Sequence, residues 1–341
     1  AGLNPVLVNA DRGSSWRNIG GGRTAFSLPE LAEIAEHNHA IFKELQKISN
    51  IDYKTTRYIN LAHDESTFNA LDASRAWSDA FMVDPKNFHK EISPYFSTKS
   101  KRYLGALITN DCWQATPGKV VDLIRNMGVS AGGRIVEDCK VLEVMKEGST
   151  YSILVLTHDK KYVEFRTEIF VNALGAGAGK ICEGLGIHAG LYPVRHQAFI
   201  TRRLPMLGKN GDSLDMLIDR QEYKGFSAVY GQQLLHTGQI IGCASPRVDA
   251  LRTDKNLILN TKEFMEIVSE FFVDWVPELA GVSIQATWSG YYTEPRYIVD
   301  PELGLFVGMR GHGFMLSQYL AKIYVDKLMG RPVPEHFDQL K

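Results

Sequence analysis

The chain has 341 residues, 44% of them apolar and 23% charged, which is ordinary globular composition at a length that suits one large or two interlocked domains. Its formal charge of -1, with Lys and Arg scattered, argues against a nucleic-acid or anionic-membrane partner, whose phosphates demand a basic face. No run approaches the ~20 apolar residues of a membrane-spanning helix.

The opening AGLNPVLVNADRG lacks an initiator Met, a basic n-region and an apolar h-region, so it does not read as a signal peptide. Within it, Pro5 to Asn9 reads as a buried parallel strand, apolar on both faces. A loop is expected next, with Ser14, Ser15, Asn18 and the run Gly20-Gly21-Gly22. From Pro29, a favoured first-turn residue, Leu31, Ile34, Ala35, Asn38, Ile41, Phe42, Leu45 and Ile48 recur at helical spacing. Strands are expected at 56–62, 102–109, 134–144, 151–157, 168–173, 197–202, 227–230, 239–243 and 283–288, and helices near 117–127, 261–275 and 314–329. Mixed βα units and hairpin-like stretches predict an α/β fold, α+β overall, with a second, β-rich domain. With no low-complexity linker, the two domains are expected to interleave. Cys112, Cys139, Cys182 and Cys243 lie far apart without a CxxC pair, which suits buried reduced thiols in a cytosolic protein better than disulfides or zinc.

Four stretches carry chemistry. Gly13 to Asn18, the glycines after it and Arg23 combine small residues, which let backbone amides approach an anion, with two arginines; a plain surface loop is the competing reading. Val171-Asn172-Ala173-Leu174-Gly175-Ala176-Gly177 runs a strand into small residues that permit close contact with a dinucleotide. Gly308 to Met315 leads into the last helix, whose positive N-terminus suits a delocalised anion. Trp288-Ser289-Gly290-Tyr291-Tyr292, with Arg195-His196-Gln197 upstream, is either core or a pocket wall.

In order and spacing, the pieces GSSWRNIGGGR, VNALGAGA, YPVRHQAFIT, ATWSGYY and RGHGFML resemble the D-amino-acid-oxidase-like flavoproteins, in the branch of glycine oxidase, sarcosine oxidase and dye-linked proline dehydrogenase. The resemblance runs from residue 1 to about residue 338. It implies a Rossmann-like FAD-binding domain over 1–50, 114–188 and 293–341, interleaved with a sheet-rich substrate domain over 51–113 and 189–292. It also implies cofactor contacts at Ser14, Ser15, Arg17, Asn18, Gly21, Gly22, Val141, Gly175, Ala176, Gly311, His312, Gly313, Phe314 and Met315. Asn9, or Asp11 beyond it, falls where relatives hold the adenosine ribose with an acid; Asn9 departs from that pattern. Arg23, His196 and Tyr292 are the residues implied to grip a substrate carboxylate and line the pocket.

Relatives open with a strand, a GxGxxG turn and a helix ahead of the segment that starts here, so the FAD domain is expected to be N-terminally incomplete. A further departure is Tyr292-Thr293-Glu294-Pro295, where relatives carry a compact Thr-Pro-Asp turn. Where relatives attach FAD covalently, this sequence has Arg17 and Gly290, implying noncovalent FAD. Where sarcosine oxidases carry an oxygen-activating lysine, it has Ile240, implying a dehydrogenase. The activity implied is oxidation of a proline- or sarcosine-like amine to an imine. The partners are then a small amine or amino acid and an unidentified electron acceptor, in a homo- or hetero-oligomer with no nucleic acid. The expected location is cytoplasmic, or peripheral to a membrane through an electron-transfer partner. A hydroxyacid or glycerol-phosphate dehydrogenase and a non-catalytic subunit are the competing readings.

Overall fold

The computed structural model describes residues 3–8, 13–26, 28–77, 79–99, 102–246, 262–335 and 337. In chain order the elements begin β1 (Val6–Val8), α1 (Gly13–Arg17), β2 (Gly21–Gly22), α2 (Pro29–Ile48), β3 (Lys54–Ala62), α3 (Glu65–Ala73), β4 (Ala80–Val83), α4 (Phe88–Glu91) and β5 (Gly105–Gln114). They continue α5 (Pro117–Ser130), β6 (Arg134–Val136), β7 (Lys140–Glu147), β8 (Thr150–Leu156), β9 (Tyr162–Thr167), α6 (Ala178–Gly184), β10 (Tyr192–Arg203) and β11 (Met216–Asp219). Last come β12 (Phe226–Gln233), β13 (Gln239–Pro246), α7 (Lys262–Trp275), β14 (Ile284–Glu294), β15 (Ile298–Asp300), β16 (Leu305–Val307) and α8 (Gly313–Leu328). The class is mixed α/β. No helix among the described residues is long and apolar enough to cross a membrane.

Contacts divide the chain into one unit of Ala1–Arg17, Pro117–Val194 and Tyr291–Lys341 and a second of Asn18–Thr116 and Arg195–Gly290. The first internal boundary therefore falls after Arg17 rather than near residue 50. The reason lies in α2. Its carboxyl end is tied down when Gln46 Oε1 accepts from the amides of Ile51, at 3.0 Å, and Tyr53, at 3.1 Å. Farther back, His39 stacks on Trp113 of β5 with ring centroids 4.4 Å apart. The helix runs over the span its periodicity predicts, burying Leu31, Ile34, Ala35, Phe42 and Leu45.

In the second unit the strands form one sheet in the order β14-β10-β13-β12-β11-β3-β5-β2, with β4 also on β5. Helix α7 lies on one face. Phe264, Ile267, Val268, Phe271, Phe272 and Trp275 are buried at i, i+3, i+4, i+7, i+8 and i+11, the spacing of a single helical stripe. They meet Ile59, Leu61, Leu217, Val229, Phe199, Ile240 and Ala244 in the main core. At roughly 1.5–3 kcal/mol for each large side chain removed from water, this stripe contributes substantially to the stability of the unit. Strand alternation sends the intervening residues to the other face, where Tyr58, Cys112 and Met216 form a separate cluster with Ile218 and Tyr230.

In the first unit β1 pairs in parallel with β6, Val6 opposite Arg134 and Val8 opposite Val136. β7, β8 and β9 form an antiparallel sheet, and β15 and β16 a two-stranded one. Val8, Val136, Val141 and Leu174 pack against the Cys139, Val144, Val155 and Ile181 cluster.

Several sequence expectations change. The opening strand is not buried on both faces: Leu7 is 49% exposed. Gly13–Arg17 is a helical turn rather than a loop, with the Trp16 ring over Gly118 at the start of α5. No strand forms over 168–173. Asn172 makes only an isolated bridge to Leu305, because its buried side chain donates to Ala178 O at 3.1 Å and accepts from Leu174 N at 3.2 Å, which turns the backbone. The segment 134–144 splits into β6 and β7 around Asp138, whose φ is 53°.

Candidate functional site

In the first unit the glycine-rich pieces lie on turns. The isolated bridge at Asn172 is followed by the 3-10 turn Gly175–Gly177 and then α6, with no side-chain cap at the turn's start. Gly175 has φ 55°, and a Cβ there would project into open space. Ala176 is half-buried, and Val141 is half-buried in the cluster that also holds Leu174. Ser14 and Ser15 are exposed on α1. The Ser14 hydroxyl donates to Tyr291 O at 2.7 Å and accepts from Tyr291 N at 3.2 Å, fixing α1 to the end of β14. Arg17, half-buried, closes the turn.

The α8 start is built tightly. Gly311 has φ 81°, and a Cβ there would run into the Tyr292 ring, so only glycine fits between that ring and the chain. His312 is the N-cap residue of α8 without a side-chain cap bond. Its Nδ1 instead meets the Tyr297 hydroxyl. Arg310, ahead of Gly311, pairs with Glu294 at 2.8 Å. Gly313 and Phe314 are half-buried in the first turn, and Met315 is buried. Within this unit Tyr292, Gly311 and His312 therefore come together.

The second unit holds Asn18, Gly21, Gly22, Arg23 and His196. Asn18 Oδ1 accepts from Gly20 N at 2.8 Å, and Gln232 Nε2 donates to Ile19 O at 3.0 Å, pinning the segment to the sheet. Gly22 pairs with Trp113 in β5, and a Cβ on it would enter the Trp113 indole. Its small size thus answers a packing need of the protein, where the sequence suggested only approach to an anion. The Arg23 guanidinium lies 4.5 Å from the Phe26 ring centroid. Beyond the end of β11, the guanidinium of Arg220 titrates below its usual range, chiefly because surrounding protein desolvates it and then because Arg23 repels it. Two nearby cations repel each other until an anion joins them.

His196 alternates onto the face away from α7, since Phe199 and Gln197 take the other parity. Burial pushes its imidazole down to about 3. It is therefore neutral at physiological pH and offers hydrogen bonding rather than charge. Cys243 shares that face, and burial pushes its thiol up to about 12. Ile240 does not: it is 0% exposed in the core under α7. The residues of β13 with the opposite parity are Gln239, Ile241, Cys243 and Ser245, and none is cationic.

Asn9 and Asp11 lie outside the described residues. Sequence reasoning singled out neither Asn60 nor Arg220, although YINLA in β3 and MLIDR at β11 set polar groups into apolar stretches.

A family model described as FAD dependent oxidoreductase (DAO) matches residues 1–327. No curated protein matches the chain. Among solved structures, L-proline dehydrogenase from P. horikoshii is similar at 20% identity and TM-score 0.76, covering 98% of each chain. Glycine oxidase from Bacillus cereus ATCC 14579 is similar at 18% identity and TM-score 0.77, covering 99% of this chain and 93% of that one. L-α-glycerophosphate oxidase from Mycoplasma pneumoniae, with FAD bound, is similar at 15% identity and TM-score 0.72, covering 95% and 88%.

Proposed function

The chain belongs to the DAO family of FAD-dependent oxidoreductases, and on that premise we propose that it oxidises the C–N bond of a proline- or sarcosine-like amino acid to an imine. The observation that favours the substrate class is the pair of guanidiniums in one unit, Arg23 and Arg220, with Arg220 lowered first by desolvation and then by the charge of Arg23. A carboxylate relieves that repulsion and is held by both.

The residues present fit the cofactor. Gly175 opens space on a left-handed turn, and neither this turn nor α8 spends a side chain on capping its first amides. Those amides suit the anionic parts of a dinucleotide. Gly175, Ala176 and Val141, with Ser14, Ser15, Arg17, Asn18, Gly21 and Gly22, are the proposed holders of FAD. Gly311 to Met315 are proposed for its flavin edge. FAD, when bound, supplies the two-electron oxidant. Noncovalent binding follows from Arg17 and Gly290 at the positions of attachment.

The chain's own work is orientation. Arg23 is proposed to fix the carboxylate. His196, lacking charge, keeps the site from protonating the amine whose lone pair must stay free. Use of an acceptor other than oxygen is proposed from the sequence alone, where Ile240 stands at the position of the relatives' oxygen-activating lysine.

A second reading is oxidation of a phosphorylated alcohol, since paired guanidiniums also suit a phosphate. The deciding experiment is a visible spectrum of the purified protein followed by anaerobic L-proline, D-proline, sarcosine and glycerol 3-phosphate. Bleaching of a flavin band by one of the amines supports the proposal. Bleaching by glycerol 3-phosphate alone transfers the assignment to the second reading, and a colourless protein that takes up no FAD rejects both. Stoichiometric peroxide in air would overturn the preference for a dehydrogenase.

A further inference from the structure

The middle of β3 holds an anomaly. Asn60 is only 7% exposed, yet its Oδ1 is buried without a hydrogen-bond partner among the described residues. Such an orphaned acceptor destabilises a fold, so a purely structural position would carry an apolar residue or a paired one. Its place in the sheet is defined on both sides. Asn60 is in register with Leu107 of β5 and with Ile218 of β11, and Ile218 is opposite Tyr230 of β12. Its chain neighbours Ile59 and Leu61 both belong to the core beneath α7. Alternation therefore puts Asn60 on the opposite face with Ile218 and Tyr230. That is also the face to which Tyr58 and Met216 turn, against Gly21.

Two cations stand close to these strands in the chain, and the charge of Arg23 reaches Arg220. Arg220 follows Ile218 by two residues, just past the end of β11, the strand paired in parallel with β3. Arg23 follows Gly21 by two residues, immediately past β2, the strand that pairs with β5 at the edge of the sheet. A carbonyl acceptor and two guanidinium donors in the same unit are together complementary to the N–H and the carboxylate of one amino acid.

From this arrangement we infer that Asn60 is a substrate-binding residue: its Oδ1 accepts an N–H from the substrate nitrogen while Arg23 and Arg220 hold the carboxylate. This rests on the amino-acid reading above and adds to it the requirement for an N–H donor. A primary or secondary amine qualifies, and a tertiary amine or a 2-hydroxy acid ether does not. Because the nitrogen becomes more positive as the C–H bond is lost, a fixed carbonyl dipole there also favours the product-like arrangement over the neutral amine.

Two planar, non-oxidisable probes isolate the contact: pyrrole-2-carboxylate, which has the N–H, and furan-2-carboxylate, which replaces it with oxygen. Calorimetric titration of the FAD-loaded full chain is expected to show pyrrole-2-carboxylate binding roughly 5–10-fold more tightly, the worth of one hydrogen bond. Asn60→Leu should erase that preference, with furan-2-carboxylate binding nearly unchanged and a thermal midpoint equal to or above the parent's. Asn60→Asp, which keeps acceptor oxygens, should retain the preference. Equal binding of the two probes by the parent protein overturns the role of Asn60 and leaves the amino-acid reading standing, and so does a sharp drop in the Asn60→Leu midpoint with the preference intact. Binding of neither probe overturns both, most plainly if glycerol 3-phosphate bleaches the same protein.

Discussion

At the level of single residues, buried groups that defy their usual chemistry mark the site. His196 is held neutral by burial at about 3, below the ~6.5 of an exposed imidazole. Between those values the unfolded chain binds a proton that the folded chain refuses. Stability contributed at this position is therefore complete above about pH 6.5 and falls as pH drops toward 3, by at most about 1.4 kcal/mol per pH unit. His39 is depressed in the same direction, mainly by desolvation, so the His196 share is read by difference. Urea unfolding at pH 7 and pH 5 should show His196→Gln losing less stability on acidification than the parent; equal losses would mean that His196 titrates normally. Gly311 gives a second test. With φ at 81° and the Tyr292 ring where a Cβ would stand, Gly311→Ala should lower stability by about 1–3 kcal/mol and weaken FAD binding together. A variant with parental melting and parental FAD affinity would show that the ring moves aside freely.

Elements divide the labour between the two faces of the second unit's sheet. Helix α7 seals one face with an aromatic stripe, in which Phe272 packs edge-on to Phe199 at 5.1 Å and tilted against Trp275 at 4.8 Å. Removing that ring leaves a cavity that neighbours on three elements cannot jointly fill. Phe272→Ala should therefore cost about 3–5 kcal/mol in denaturant unfolding. A loss below 1 kcal/mol would mean that α7 is loosely docked. The opposite face, with Tyr58, Asn60, Ile218 and Tyr230, is where the proposed substrate contacts collect. Arg23→Met is expected to weaken carboxylate-probe binding roughly tenfold or more while leaving the α7 core and its unfolding midpoint near the parent's, since charge-assisted contacts are among the stronger hydrogen bonds. Undiminished binding would move the carboxylate site away from Arg23.

For the molecule as a whole, the measurable consequence is linkage to its cofactor. A ligand that binds only the folded chain adds about 2.7 kcal/mol when present at a hundred times its dissociation constant. FAD should raise the thermal midpoint in a concentration-dependent way, and acid precipitation should release it unaltered into the supernatant. Flavin that stays with the precipitate would show covalent attachment and contradict the inference drawn from Arg17 and Gly290.

Much was legible before any coordinates. Helices α2, α5, α7 and α8 stand within a residue or a few of where apolar spacing predicts them, because a 3.6-residue stripe serves only a helix. The mixed α/β class followed from helical and strand-like stretches interspersed along the chain, and the family from short motifs kept in a fixed order. Other features failed to show for local reasons. The Asn172 side chain overrides a strand-like stretch, and Asp138 in a left-handed conformation divides another. Helix α3 went unread although Asp64 caps it by accepting from Thr67 N at 2.8 Å, a signal available in the sequence.

What the sequence by itself determined was the periodic elements, the fold class and the identity of the glycine-rich turns, all set by neighbours close along the chain. Only the tertiary structure decided parity and burial. It put Ile240 under α7 and Ile241 on the opposite face, made His196 neutral, set Arg220 against Arg23, and left Asn60 without a partner among the described residues. Those properties depend on strand register and on residues more than a hundred positions apart, which no local pattern encodes.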